Sequence, residues 1–410
     1  MLSAGAALVD STGRVVETEE LVARVAAQAR ELEAAGARPG RVVTVALKDP
    51  AAMLIAALAV WETGAALSPR PGPPGVAVDR EVPVETGLLL FTSGSSGSPK
   101  GVLLSRAGVV ANVDAILEYL PIAAHPRTAI VLPLHYSYAL VGQAFATLRA
   151  GGTAILLGDV PYPARQIALM HAYEARGLSS VATSLRLLAR AARELGAPKL
   201  GYVASAGGPL DHATRDLLRE VWPAAQLWNQ YGLTEASPRV TAVSSDEPAF
   251  WQGSVGRPIR GVSVESVDGE LLVRGPSTML GYLDGDPLAG PLHTGDLGRV
   301  DAEGYVWVEG RRDGLVKVAG ERVSVDEVAA ALRAAVRDAC VVAIPDELTG
   351  VRLVAFVEGD AAAARRAAQS LPPAKRPSRI VEVDALPRLP SGKPAVEELR
   401  RRALDVLRSR

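Results

Sequence analysis

Apolar residues at helical spacing open the chain. Leu21, Val22, Val25, Ala26, Ala29 and Leu32 share one face of residues 18–35 and predict an amphipathic helix. Thr18 is its predicted N-cap, Glu19 and Glu20 fill the first turn where the helix dipole favours acids, and Gly36 is the predicted C-cap. The run Val42 to Leu47 predicts a strand. Asp49 and Pro50 then suit the N-cap and first position of a second helix that continues from Ala51 to Glu62. Pro69 to Pro74 reads as a Pro/Gly linker, and Gly87 to Phe91 as a short buried strand that leads into a Gly/Ser loop. Beyond it, strands predicted at 128–132, 153–157, 179–183 and 200–205 alternate with helices at about 141–150, 163–175, 184–195 and 211–221. That rhythm predicts an α/β fold with parallel or mixed sheets and helices outside them.

The texture changes after about Ser254. Short strands at Ser263–Val267, Glu270–Val273, Arg299–Val300 and Tyr305–Val308 suggest a small antiparallel or barrel-like subdomain. A second change falls at Gly310-Arg311-Arg312-Asp313-Gly314. Residues 315–410 read β-α-β-β-α, with a Pro-rich stretch at Leu371-Pro372-Pro373. The boundary is placed at 311–314, which gives a large domain over 1–311 and a small α+β domain over 312–410. No internal repeat is visible.

Composition narrows the class of function. Of 410 residues, 48% are hydrophobic and 22% charged, the profile of an ordinary globular protein, and net charge is −1. So balanced a chain is a poor general nucleic-acid binder, which must neutralise many phosphates. The single cysteine, Cys340, excludes an internal disulfide framework, and five scattered histidines argue against a zinc site. The longest apolar run, Ala51 to Trp61, is too short for a bilayer, where about 20 residues are needed. Met1 to Gly5 carries no basic segment of a secretory leader, so a cytoplasmic location is expected. Glycine (39) and proline (29) gather in a few short segments, where backbone must turn or approach a ligand closely.

The most informative of these is Thr92-Ser93-Gly94-Ser95-Ser96-Gly97-Ser98-Pro99-Lys100-Gly101. Backbone amides, hydroxyls, little bulk and a lysine are what a phosphate cradle needs. It is not a Walker A loop, because Pro99 precedes the lysine, Gly101 follows it, and proline disfavours a helix start at Ser98. The segment resembles the phosphate loop of the adenylate-forming superfamily: acyl- and aryl-CoA synthetases, adenylation domains of nonribosomal peptide synthetases, and luciferase. Four further segments match the family pattern in order. Ala206-Gly207-Gly208-Pro209-Leu210 resembles the turn against which adenine lies. Asn229-Gln230-Tyr231-Gly232-Leu233-Thr234-Glu235 resembles the stretch whose aromatic stacks on adenine, whose hydroxyl reaches the α-phosphate and whose carboxylate holds Mg²⁺. His293-Thr294-Gly295-Asp296 and Arg311 resemble the ribose contacts, and Asp313 falls on the hinge. Lys393, in Leu389-Pro390-Ser391-Gly392-Lys393-Pro394, resembles the lysine that enters the site during adenylation. Taken singly, these segments would also suit a polar surface turn or a plain β–α turn.

The resemblance implies ATP and Mg²⁺ as cofactors, with Thr92, Ser93, Gly94, Ser95, Ser96, Gly97, Lys100, Gly207, Gly208, Asn229, Tyr231, Gly232, Asp296 and Arg311 around the nucleotide. It implies Glu235 at the metal, and Lys393, Thr234, Glu235 and His135 as catalytic residues. Leu132 to Leu140 resembles the acyl-pocket motif, so His135, Tyr136, Tyr138 and Ala139 are its expected lining. His135 or Tyr136 gates the carboxylate, the register being ambiguous by one. Members that take α-amino acids carry an aspartate shortly after, and Tyr138-Ala139-Leu140-Val141 has none; the expected substrate is a carboxylic acid without an α-amino group. The expected acceptor is CoA, or alternatively a phosphopantetheinyl carrier protein or an amine. Residues 365–410 carry twelve Lys/Arg against five acids, a surplus that suits phosphates or an acidic carrier, or else a solvated helix. A monomer or homodimer is expected, without membrane or nucleic-acid partners. The chain departs from the family between Pro69 and the loop, where the N-terminal region is much shortened.

Overall fold

The first predicted stripe folds as the helix Thr18–Ala34, with Leu21, Val25, Ala29 and Leu32 buried. Its start differs from the expectation: Glu17 takes the N-cap position without a side-chain bond. Thr18 is the first residue of the helix rather than its cap, and its hydroxyl donates to the carbonyl of Ala6 (2.9 Å). The next helix, Pro50–Glu62, begins as predicted, with Asp49 accepting from the Ala51 amide (2.9 Å). Apolar all round, it is buried on nearly every face, and the Trp61 ring meets Phe145 edge-on at 5.5 Å.

The structure, a computed structural model, describes residues 1–92, 100–318, 321–346, 350–389 and 392–408. The chain divides into two compact units. The first comprises Met1–Glu265, Leu272–Thr294 and Val300–Trp307; the second comprises Ser266–Leu271, Gly295–Arg299 and Val308–Arg410.

Two mixed sheets build the first unit. The nine-stranded sheet runs Arg257–Pro258, Thr241–Ser244, Gln226–Tyr231, Tyr202–Ser205, Gly177–Ser180, Arg127–Ile130, Thr153–Leu156, Ala7–Val9, Val15–Val16. From Gln226–Tyr231 to Ala7–Val9 all neighbours are parallel, and antiparallel strands flank them. The six-stranded sheet runs Gly281–Tyr282, Lys100–Ser105, Thr86–Thr92, Ala66–Pro69, Arg41–Ala46, Gly75–Glu81. Its last member lies just past the predicted linker. Nearly every residue of Gly75–Glu81 is exposed, so it lacks the alternation by which a half-buried strand is read in sequence.

Two further boundaries move. The predicted helix 163–175 ends at Ala172, and the predicted strand 179–183 is Gly177–Ser180, with Val181 already capping the next helix. The predicted helix 141–150 is a composite: an α-turn Ser137–Ala139, a fully buried π-helical turn Leu140–Phe145, and an α-turn Ala146–Arg149. Such turns concentrate at functional sites.

The strands Ser263–Val267, Glu270–Arg274, Leu292–Val300 and Val306–Arg311 each contribute residues to both units. They are longer than predicted, and His293 to Gly298 lies within a strand rather than in a turn between two. The rest of the second unit is β-β-α-β-β-α-β-α instead of β-α-β-β-α. The unpredicted helix Ala361–Gln369 buries only alanines, Ala361, Ala364 and Ala368, too weak an apolar stripe to be read from sequence. Alternate residues of Asp338–Asp346 and Gly350–Glu358 face opposite clusters. Val341, Leu353 and Val357 pack with Val328 and Ala364, and Cys340, Val342 and Phe356 with Leu399 and Ala403. Among the described residues no helix is long and apolar enough to cross a membrane.

Candidate active site

The strands Thr86–Thr92 and Lys100–Ser105 pair antiparallel up to Thr92 opposite Lys100, so the predicted phosphate loop is held at two adjacent strand ends. Ser93, Gly94, Ser95, Ser96 and Gly97 lie outside the described residues. The Lys100 ammonium stands 5.3 Å from the centre of the Tyr282 ring, a cation–π distance. A Cβ on Gly101 would come within 2.9 Å of the Leu283 Cβ, so glycine lets the two strands close at this point.

Asn229 and Tyr231 stand at the end of the strand Gln226–Tyr231. Asn229 is buried and donates from Nδ2 to the carbonyl of Ser254 (2.8 Å). At Gly232 a Cβ would sit 1.8 Å from the Pro238 carbonyl oxygen, so no other residue fits. The chain then makes a 3₁₀ turn, Thr234–Ala236. Tyr282 donates its hydroxyl to Glu235 Oε1 (3.3 Å), and the Met279 amide donates to the Glu235 carbonyl (2.8 Å). The hydroxyls of Thr234 and Ser137 are 3.4 Å apart. Lys100, Tyr282, Glu235, Thr234 and Ser137 thus form a chain of neighbours, although four separate elements supply them. After the strand Tyr202–Ser205, Gly207 takes φ 82°, which favours glycine, and among the described residues nothing stands within 4 Å of a Cβ built on Gly208.

His135 lines a cavity of about 280 Å³ together with Lys48, Met53, Arg70, Leu132 and Asp159. Its ring lies 4.1 Å from that of Tyr136. Burial lowers the His135 pKa, so the neutral imidazole is the stable form near pH 7. Ala139 is fully buried, and the Tyr138 hydroxyl donates to the carbonyl of Ala204 (3.2 Å).

Arg239 is a residue that the sequence reading passed over. Only 2% exposed, it holds its guanidinium 4.6 Å from the centre of the Tyr138 ring. Burial raises the pKa of Tyr119 and Tyr138, and the charge of Arg239 partly offsets this at both. Asn112 locks the backbone in place, accepting from the Arg239 amide (3.2 Å) and donating to its carbonyl (2.8 Å). The sequence does hold a signal: Arg239 is the lone charge between Glu235 and Asp246.

In the second unit, Asp296 is 7% exposed and accepts from Arg311 Nη1 (3.1 Å). Gly295 at φ 69° donates its amide to Glu270 Oε1 (2.9 Å), and Arg312 bridges Glu270 Oε2 (3.1 Å). Nothing is described for the side chain of Asp313. Lys393 is exposed. Its carbonyl accepts from the Leu389 amide (2.8 Å), and Arg388 Nη1 donates to Gly392 O (2.8 Å). Arg388 also pairs with Asp338 and, at 3.9 Å, with Glu358. The lysine loop is therefore tied to the sheet at its root.

Known proteins resemble this chain in sequence and fold. The profile of the family "AMP-binding enzyme" matches residues 75–283, and that of the "AMP-binding enzyme C-terminal domain" matches 325–393. The chain is 28% identical over 367 residues to 4-coumarate--CoA ligase 5 of Oryza sativa subsp. japonica, covering 80% of this chain and 67% of that one. It is 29% identical over 355 residues to 4-coumarate--CoA ligase 1 of Petroselinum crispum, covering 77% and 64%. The chain thus spans about two thirds of the length of these curated relatives. Among solved structures, the amide bond synthetase McbA from Marinactinospora thermotolerans is 26% identical, with 96% of each chain covered and a TM-score of 0.80. ATP-bound MatB from Rhodopseudomonas palustris shares the fold at 22% identity and a TM-score of 0.83, covering 98% of this chain and 96% of that one. With the first profile spanning half of its residues, this chain belongs to the AMP-binding enzymes, the adenylate-forming superfamily.

Proposed function

We propose that the chain activates a carboxylic acid with ATP, forming an acyl-adenylate and pyrophosphate, and passes the acyl group to the thiol of CoA. The observation that carries this is the row Lys100, Tyr282, Glu235, Thr234 beside the closing pair Thr92 and Lys100. A cation, a carboxylate and hydroxyls are gathered where a phosphate loop begins and ends. A carboxylate is a poor electrophile because oxide is a prohibitive leaving group; adenylation replaces oxide by AMP. The amides of Ser93 to Gly97, with Thr92, Lys100 and Thr234, offset the charge that develops on the phosphates. Tyr231 stacks on adenine against Gly207 and Gly208, with Asn229 and Gly232 shaping that turn. Asp296 and Arg311 take the ribose.

Mg²⁺, when bound, supplies positive charge to the phosphate oxygens. The donors suit it. Tyr282 donates to Glu235 Oε1, and among the described residues no hydrogen bond to Oε2 is formed; Mg²⁺ is commonly held by one or two carboxylates together with substrate phosphates.

Neutral His135, with Tyr136, positions the acid's carboxylate. The acid carries no α-amino group: the pocket segment Tyr138 to Val141 has no carboxylate, and Arg239 would repel an ammonium. In this reading residues 1–311 bind ATP and acid, and residues 312–410 are a lid that turns about Asp313. Lys393 serves adenylation and leaves the site for thioester formation. CoA as acceptor is supported by Lys48 and Arg70 on the cavity that His135 lines, which offer cations to phosphates. It is supported too by relatives that are CoA ligases. Transfer to an amine is the second reading, favoured by the likeness to McbA.

Pyrophosphate release across a panel of carboxylic acids, with and without CoA, tests the proposal. Acid-dependent release and a CoA thioester are expected. Release followed by amide formation, with no thioester, would favour the second reading, and no release with any acid would sink both.

A further inference from the structure

Resting on that reading, the fate of Arg239 narrows the substrate. A guanidinium taken out of water needs an anion and hydrogen-bond acceptors, or the desolvation goes uncompensated. Arg239 has neither in full: among the described residues no carboxylate pairs with it, and its buried Nε has no hydrogen-bond partner. What faces it is aromatic and phenolic. The Tyr138 ring lies under the cation, and the hydroxyls of Tyr119 and Tyr138 feel its charge and take up part of its hydrogen bonding, though neither is an anion. Tyr119 in turn accepts from Gln230 Nε2 (2.8 Å), while the buried Gln230 Oε1 has no partner. A Cβ on Gly142, in the π-helical turn, would come within 3.0 Å of Arg239 Nη2; glycine there makes room for the guanidinium. Gln143, next along that turn, has both polar side-chain atoms buried without a partner.

Buried polar atoms without partners are uncommon and need an explanation. Of these, Arg239 Nε belongs to the guanidinium that lies over the tyrosine of the acid-pocket segment. The backbone of Arg239 is clamped by both ends of the Asn112 amide, which fixes the point from which the side chain reaches Tyr138. We propose that the acid bears a second carboxylate at the end remote from the one activated, and that Arg239 receives it. A planar fork of donors matches a carboxylate's two oxygens, and that anion completes the shell the protein leaves open.

The test compares straight-chain diacids from malonate to adipate, and the benzenedicarboxylates. Each is set against the monoacid bearing methyl or isopropyl in place of the second carboxylate. Two readouts are used: pyrophosphate release, and binding by calorimetry without ATP. The best diacid is expected to exceed its monoacid by about 100-fold or more in kcat/KM and in affinity, since a site built for a polar group strongly rejects the analogue lacking it. Arg239→Met should abolish that preference, and Arg239→Lys should keep part of it. Equal handling of diacid and monoacid by the native protein overturns the proposal, even if Arg239→Met does not fold. Arg239-dependent diacid binding without pyrophosphate release would uphold this inference and count against the proposed activity alone.

Discussion

The Tyr282 hydroxyl reaches Glu235 Oε1 across 3.3 Å, joining a strand of the six-stranded sheet to the turn that follows a strand of the nine-stranded one. If Glu235 holds Mg²⁺, Tyr282 sets the rotamer of that carboxylate. Glu235→Gln should cut pyrophosphate release by about 100-fold or more. Tyr282→Phe keeps the ring near Lys100 and loses one bond to a charged group, so about a tenfold rise in KM for Mg–ATP is expected, with less effect on kcat. Initial rates at varied Mg²⁺ separate the two, and an unchanged KM in Tyr282→Phe would remove the positioning role.

Gly232 tests the turn itself. A methyl added there would lie 1.8 Å from the Pro238 carbonyl oxygen, so Gly232→Ala must push the backbone apart. A loss of about 3 kcal/mol, or failure to accumulate as soluble protein, is expected. Gly208→Ala is the control: among the described residues nothing meets an added methyl, and its melting temperature should stay near that of the native protein.

Lys393 and Arg388 separate chemistry from positioning. Lys393→Ala should lower adenylation by about 100-fold while sparing thioester formation from preformed acyl-adenylate. Arg388→Ala leaves the lysine in place but frees the root of its loop from Asp338 and Glu358. It should lower the same half-reaction by about tenfold. Equal losses in both half-reactions would refute the assignment of Lys393.

His135 gives a signed pH effect. Burial holds its pKa below the usual 6.5. As pH falls through 6.5, the unfolded chain takes up this proton before the folded one does, so His135 subtracts stability on the acid side. His135→Gln should therefore lose less stability than the native protein between about pH 7 and 5.5, read from urea unfolding at each pH. A steeper loss in the variant would contradict the buried, neutral imidazole.

Strong local patterns carried well from sequence to structure. Asp49-Pro50 opened its helix because capping is decided within three residues. The alternation of strands and helices in the first unit followed from period alone. What sequence withheld depended on distant partners. Thr18 lies one position inside the helix it was expected to cap, with its hydroxyl on the distant Ala6 carbonyl. The π-helical turn at Leu140–Phe145 has the same apolar residues an α-helix would use, so nothing local marks the extra residue. Ala361–Gln369 hides because alanine is a helix former with little to bury. At the candidate site, motif spacing singled out Thr234 and Glu235. Tyr282 lies 47 positions from Glu235 and belongs to no motif, so only folding reveals the pair. Arg239 was visible as an odd charge, and its meaning lies in burial, which sequence does not give.

The outermost strand Gly75–Glu81 has a consequence for the chain in solution. One side pairs with Arg41–Ala46, and the other ends the six-stranded sheet. Such a margin is a template on which a second chain could add a strand. Asp79, Arg80 and Glu81 line it with alternating sign, and Glu81 is drawn toward Arg41 (3.7 Å). On this argument the three charges should discourage self-assembly. A protein with all three neutralised should keep its active centre intact and yet come out of solution.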